Sequence, residues 1–131
     1  MSTLKVNNLQ DINGANNSTP EQVAQGRAKA WVNFNGTTVT SSTDMTGVID
    51  SFNVSSVTDN GTGKYTVTFS TSMANSNYAT IVSCGATAQG GFLVISQSNN
   101  TSVSSKSLFA LNSSSGQLLD PPEVCVAFFG D

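Results

Sequence analysis

Histidine is missing from all 131 residues, and that removes more chemistry than any other feature of the chain. Serine–histidine–acid and cysteine–histidine systems need an imidazole as general base, and most hydrolytic metal centres need one as ligand. Cysteine is almost missing as well. Cys84 and Cys125 stand alone, without a CxxC pair, so no zinc set can be assembled and no metal or other cofactor is expected. The two thiols read as small buried hydrophobes of a chain that folds in a reducing cytosol, with one cross-strand disulfide as the alternative. Charge is scarce too, at 10% of residues and a net value of -3. The five cations (Lys5, Arg27, Lys29, Lys64 and Lys106) are scattered along the sequence. A nucleic-acid backbone demands a concentrated basic face, so nucleic acid is not an expected partner. No apolar run approaches the roughly 20 residues of a membrane-spanning helix. The opening stretch Met1–Asn8 also lacks the apolar core of a signal peptide, so the chain is expected to fold in the cytosol, whatever its later destination, without membrane insertion.

Uncharged polar residues fill the space. Serine, threonine and asparagine make up more than a third of the chain, with phenylalanine, valine, isoleucine and leucine placed at regular intervals between them. Threonine suits strands, whereas serine, asparagine and glycine make turns, so this mixture favours a β-rich domain over a disordered coil. The length supports one domain that buries about two-thirds of the surface of its unfolded chain.

The first 25 residues read differently from the rest. Leu4, Val6, Leu9 and Ile12 form a short apolar series that cannot bury itself, so residues 1–25 are read as an attachment arm or edge strand. Within the arm, Thr19 as N-cap, Pro20 at the first helical position and Gln22 at the third predict a helix of two turns at most, over roughly 20–25. Gly26 is read as its left-handed stop.

Residues 26–131 are read as the β domain. Ala28, Ala30, Val32 and Phe34 alternate with Lys29, Trp31 and Asn33, which predicts a strand ending at Asn35-Gly36. Residues 37–46 are read as loop or poor strand. Val48, Phe52 and Val54 are placed on one face of a single strand over 47–57. Asp59-Asn60-Gly61-Thr62-Gly63 then predicts a hairpin into Lys64–Ser70, with Tyr65, Val67 and Phe69 on one side. Further strands are expected at 78–84, 91–96, 102–111 and 123–129. Asn75–Asn77, Gly90-Gly91, Ser98–Asn100, Ser113–Gly116 and Pro121-Pro122 punctuate them. About seven short strands with polar turns indicate an all-β, antiparallel sandwich or jelly-roll-like domain.

No catalytic residue emerges from this pattern. Asp44 with Asp50, or Asp120 with Glu123, offers carboxylate pairs of the kind used on glycosides, but no spacing rule selects either pair. The 59–63 segment lacks the alternating acids of a calcium loop, and its turn role explains each residue. Gly61-Thr62-Gly63 is no phosphate cradle, because a strand follows it and no Lys-Ser/Thr does. Trp31, Tyr65 and Tyr78 would stack on sugars if exposed, but their strand positions favour core or subunit-interface packing.

Several segments carry a family likeness. The run from Gly26 to Gly36 (GRAKAWVNFNG) resembles a motif of tail-fibre-like and other virion structural proteins of tailed bacteriophages, many from marine hosts. The run from Ser51 to Phe69 is similar to the segment that follows it there, and Val124–Gly130 to the closing strand. Leu4–Ile12 with Ser18–Gln22 resembles the preceding arm. Between Gly36 and Ser51 this chain is longer than the family pattern, and 85–120 match loosely. The resemblance implies a non-enzymatic homotrimeric fibre or fibre-tip module of the virion, made in the bacterial cytoplasm. Other virion proteins would hold it through residues 1–25, and its outward end would contact a host-surface glycan or protein. A capsid decoration or head-fibre protein, or a stand-alone carbohydrate-binding module, is the alternative.

Overall fold

The Thr19-Pro20-Glu21-Gln22 signal builds the helix it predicts. In the computed structural model, which describes residues 2–15, 17–85 and 92–130, helix α1 spans Pro20–Gly26. Thr19 Oγ1 accepts the Gln22 backbone N–H at 3.2 Å, and Gln22 Oε1 accepts the Thr19 N–H at 2.8 Å. This reciprocal pair satisfies two amides that the helix start would otherwise leave without partners. Gly26 does not supply the left-handed stop read from the sequence. The chain leaves the helix through an extended Arg27 (φ -87°, ψ 143°), because the next residues are already aligned for a strand.

Eight strands follow: β1 (Ala30–Phe34), β2 (Val48–Phe52), β3 (Val54–Asp59), β4 (Lys64–Phe69), β5 (Ala79–Gly85), β6 (Phe92–Thr101), β7 (Ser105–Asn112) and β8 (Glu123–Phe129). They form two four-stranded sheets, ordered β2-β1-β8-β5 and β3-β4-β7-β6, with antiparallel neighbours throughout. The chain is therefore all-β with one short helix, as the composition predicts. The Gly90-Gly91 turn lies outside the described residues.

The expected 59–63 hairpin joins β3 to β4. Asp59 Oδ1 accepts the Gly61 N–H at 2.7 Å, and Gly61 and Gly63 take positive φ values of 110° and 65°. The single strand expected over 47–57 is instead two strands in different sheets. Asn53 sits between them at φ 55°, and this left-handed corner carries the chain from the first sheet into the second. Asparagine tolerates that conformation better than other side chains that have a Cβ. Its amide also fixes the corner: Nδ2 donates to the carbonyls of Lys29 and Thr71 at 3.0 Å each, and Oδ1 accepts the Thr71 N–H at 2.7 Å. As a result Val54 is buried while Phe52 stays in water, so the two do not share a face.

The weakly patterned stretch before β2 is a loop with one anchor. Val39 is buried in the core, and the carbonyls of Thr40 and Asp44 accept the N–H groups of Asp59 and Val57 at 2.8 and 3.2 Å. The loop thereby covers the outer edge of β3, a position that would otherwise offer unpaired backbone to another chain.

Between the sheets lies one core. Val32, Phe34, Val124, Val126 and Phe128 enter from the first sheet, and Val57, Tyr65, Val67, Phe69 and Leu108 from the second. Rings cross the interlayer space edge-on, with Phe34 against Tyr65 at 5.1 Å and Phe69 against Phe128 at 4.9 Å between centroids. Each such side chain contributes about 1.5–3 kcal/mol through burial. Lys106 is the charged exception. Its stem lies in the core beside Leu108 and Ala110, its Nζ donates to Thr101 Oγ1, and burial lowers its pKa.

The two tyrosines of the chain are both buried, and burial is the main reason both phenols are held above their ordinary pKa. Above about pH 10 the unfolded chain releases phenolic protons that the folded chain keeps, so these groups withdraw stability as pH rises further. Absorbance at 295 nm is expected to show no phenolate until the protein unfolds, then a sharp rise that coincides with loss of the β-sheet circular dichroism signal. A gradual titration centred near pH 10 with intact dichroism would contradict the buried placement.

Candidate functional site

Strand β1 presents Ala30, Val32 and Phe34 inward and Trp31 and Asn33 outward, as its alternation predicts. Arg27 and Lys29 continue that outward phase, because the chain is already extended at Arg27. Registration with neighbouring strands turns single positions into rows. Trp31 pairs with Phe52 of β2 and Ala127 of β8, and Ala127 pairs with Ile81 of β5. An apolar row, Phe52–Trp31–Ala127–Ile81, therefore crosses the whole width of the first sheet on its solvent side, with Phe52 55% and Ile81 60% exposed. The next row toward the end of β1 is polar: Asp50, Asn33, Cys125 and Ser83.

Two shallow depressions mark this face. One of about 280 Å³ is lined by Trp31, Asn33, Ile81, Ser83 and Cys125 among others, and one of about 460 Å³ by Arg27, Lys29, Trp31 and Phe52. Asn33 Nδ2 makes a long contact of 3.4 Å to Glu123 Oε1, while its Oδ1 is buried without a hydrogen-bond partner. Burial, with the Glu123 charge behind it, raises the Cys125 thiol pKa, so this thiol is a poor nucleophile. Cys84, in contrast, packs against the core on the inner side of β5. No disulfide joins the two, since they project from opposite faces of the sheet.

The acid pairs considered from sequence have separate tasks. Asp120 Oδ1 accepts the Tyr65 hydroxyl at 2.7 Å and the Gly63 N–H at 2.6 Å, tying the loop before β8 to the hairpin. Glu123 faces outward beside Asn33. Asp44 turns back on the Thr46 N–H at 2.9 Å, and Asp50 lies in the outer polar row. Among the described residues no three potential metal ligands cluster. Of the three aromatics weighed as sugar platforms, Tyr65 and Tyr78 belong to the core. Tyr78 OH donates to the carbonyls of Ser102 and Ser105 at 3.0 and 3.1 Å. Trp31 alone of the three reaches the surface. The apolar side chains of the arm stay exposed, with Leu4 81% exposed and Ile12 fully so.

The chain matches no protein-family model, no curated protein and no solved structure.

Proposed function

We propose that this chain is a non-enzymatic structural protein of a tailed-phage virion, a trimeric tail-fibre or fibre-like appendage module with a jelly-roll-like β domain. Residues 1–25 hold it to other virion proteins, and the β domain contacts the host surface.

The observation that carries this reading is the arm. Leu4, Val6, Leu9 and Ile12 all remain in water, and α1 buries none of its residues. Yet the arm has local order. Leu9 and Ser18 exchange backbone hydrogen bonds at 2.7 and 2.8 Å, and Asp11 Oδ1 accepts the N–H groups of Asn13 and Ala15. A preshaped segment with uncovered apolar groups suits docking on another protein, because little ordering entropy remains to be lost. The likeness of Gly26–Gly36 and Ser51–Phe69 to virion proteins supports the same reading. A capsid decoration or head-fibre role needs the same arm and differs in what receives it.

Deleting residues 1–25 is expected to leave the melting transition within a few degrees of the full chain, since the core takes nothing from the arm. Incorporation into particles should disappear, read by mass spectrometry of purified virions. A truncated chain that still assembles onto particles would overturn the anchoring role. A full-length chain never found in virions would overturn the wider reading.

A further inference from the structure

We propose that the outer face of the first sheet pairs with the same face of a second copy of this chain about a two-fold axis. The axis runs along the Phe52–Trp31–Ala127–Ile81 row. This contact goes beyond the virion reading and does not depend on it.

The occupant follows from how charge is laid out on the face. Counting from the Trp31 row toward the start of β1, Lys29 lies one row out and Arg27 two rows out. Counting the other way, Asp50 lies one row out, in register with Asn33, and Glu123 two rows out, in register with Gly85. A two-fold axis along the central row reverses the strand direction of the second copy. Each strand then lies over its own counterpart, so Lys29 falls over Asn33 of the other copy with Asp50 one strand (about 4.8 Å) to one side. Arg27 falls in the row of Glu123, one strand to the other side. Both acids are within reach of these long side chains, and each approach occurs twice. None of the four forms an ion pair within its own chain among the described residues.

An isologous contact requires a surface complementary to itself, and this face meets that condition row by row. Sheets packed face to face keep their strands roughly aligned, which an antiparallel pairing satisfies. The apolar row supplies the central area, with Trp31 as the anchor type that dominates interface energies. An exposed apolar strip of this width, rimmed by unpaired charge, is the usual mark of an interaction surface.

The sequence contains a single tryptophan, so its fluorescence reports this face alone. Light scattering coupled to gel filtration is expected to give an even multiple of 13.6 kDa. Acrylamide quenching of Trp31 should rise on dilution as copies separate. Lys29→Glu should raise the dissociation constant tenfold or more, because each substitution sets two like charges against each other across the axis. Asp50→Lys should do the same, and the two together in one chain should restore association to within about threefold of the parent. Circular dichroism melts of each variant confirm folding, and both positions are exposed enough to leave the core unchanged.

A mass of three times 13.6 kDa with Trp31 still open to quencher would overturn this contact and leave the trimeric virion reading intact. A monomer at high concentration would overturn both assemblies. An even-numbered assembly in which the double exchange fails to restore association would overturn the antiparallel arrangement.

Discussion

Gly63→Ala is expected to remove about 3 kcal/mol or more of stability, a large share of the roughly 5–15 kcal/mol that holds a domain folded. Two effects add at this site. The backbone is left-handed at φ 65°, a conformation that costs a residue with a Cβ roughly 1–2 kcal/mol. The new methyl would also strike backbone: it overlaps the Ala110 carbonyl oxygen and comes to 2.9 Å from the Leu119 nitrogen. Neither atom can retreat cheaply. Ala110 N–H is bonded to the Gly63 carbonyl at 2.8 Å, Leu119 N–H to the Ala110 carbonyl at 3.2 Å, and Gly63 N–H to Asp120 at 2.6 Å. The natural control is Gly116, which has nearly the same φ of 68° but nothing within 4 Å of an added Cβ. Gly116→Ala should therefore cost only the conformational part, about 1 kcal/mol. Urea denaturation of the two variants separates strain from collision. Equal midpoints would show that the close approach of Gly63 to β7 is wrong.

Substitutions at Asn53 are expected to rank by how much of the sheet-switching corner they preserve. Asn53→Ala loses all three side-chain hydrogen bonds and places a Cβ residue without asparagine's tolerance at φ 55°. The expected cost is about 3 kcal/mol, with the carbonyls of Lys29 and Thr71 losing a shared donor. Asn53→Gly keeps the conformation and loses only the bonds, so it should cost about 1–2 kcal/mol. Asn53→Asp retains an acceptor for the Thr71 N–H but points a carboxylate at two carbonyl oxygens, and should rank no better than alanine at neutral pH. Midpoints of thermal melts that place alanine level with glycine would show that backbone geometry does not matter at the corner. Glycine level with the parent would show that the hydrogen bonds do not.

Much of the sheet structure was legible because a half-buried strand writes its own period. Tyr65, Val67 and Phe69 alternate cleanly, and so do Ala30, Val32 and Phe34, so inward and outward faces could be assigned residue by residue. The capping box at Thr19 and the turn at 59–63 were legible for a similar reason, since each is satisfied by neighbours within a few residues. The break at Asn53 was not. Val48 and Val54 are both apolar at even spacing, and what separates them into two sheets is one residue's φ, held by Lys29 and Thr71 from elsewhere in the chain. The outer face was half legible. Trp31 could be placed out of phase with the core, but its row needs Phe52, Ala127 and Ile81. Only the pairing of β1 with β2 and of β8 with β1 and β5 brings those together. The five cations look dispersed in sequence for the same reason, although Arg27 and Lys29 close one end of that face. No local pattern exposes Asp120 as the partner of Tyr65 across 55 residues of sequence.

The place of β8 has a consequence for how the protein is made. It lies between β1 and β5, so the first sheet has no continuous hydrogen-bonded centre until residues 123–129 exist. While the ribosome is still adding residues, β1 and β5 each wait with an open side, and the core lacks Val124, Val126 and Phe128. A nascent chain is thus barred from completing its fold early, and a product cut short before β8 stays loose enough for proteases to recognise. Only chains translated through Phe129 can close the first sheet and complete the core.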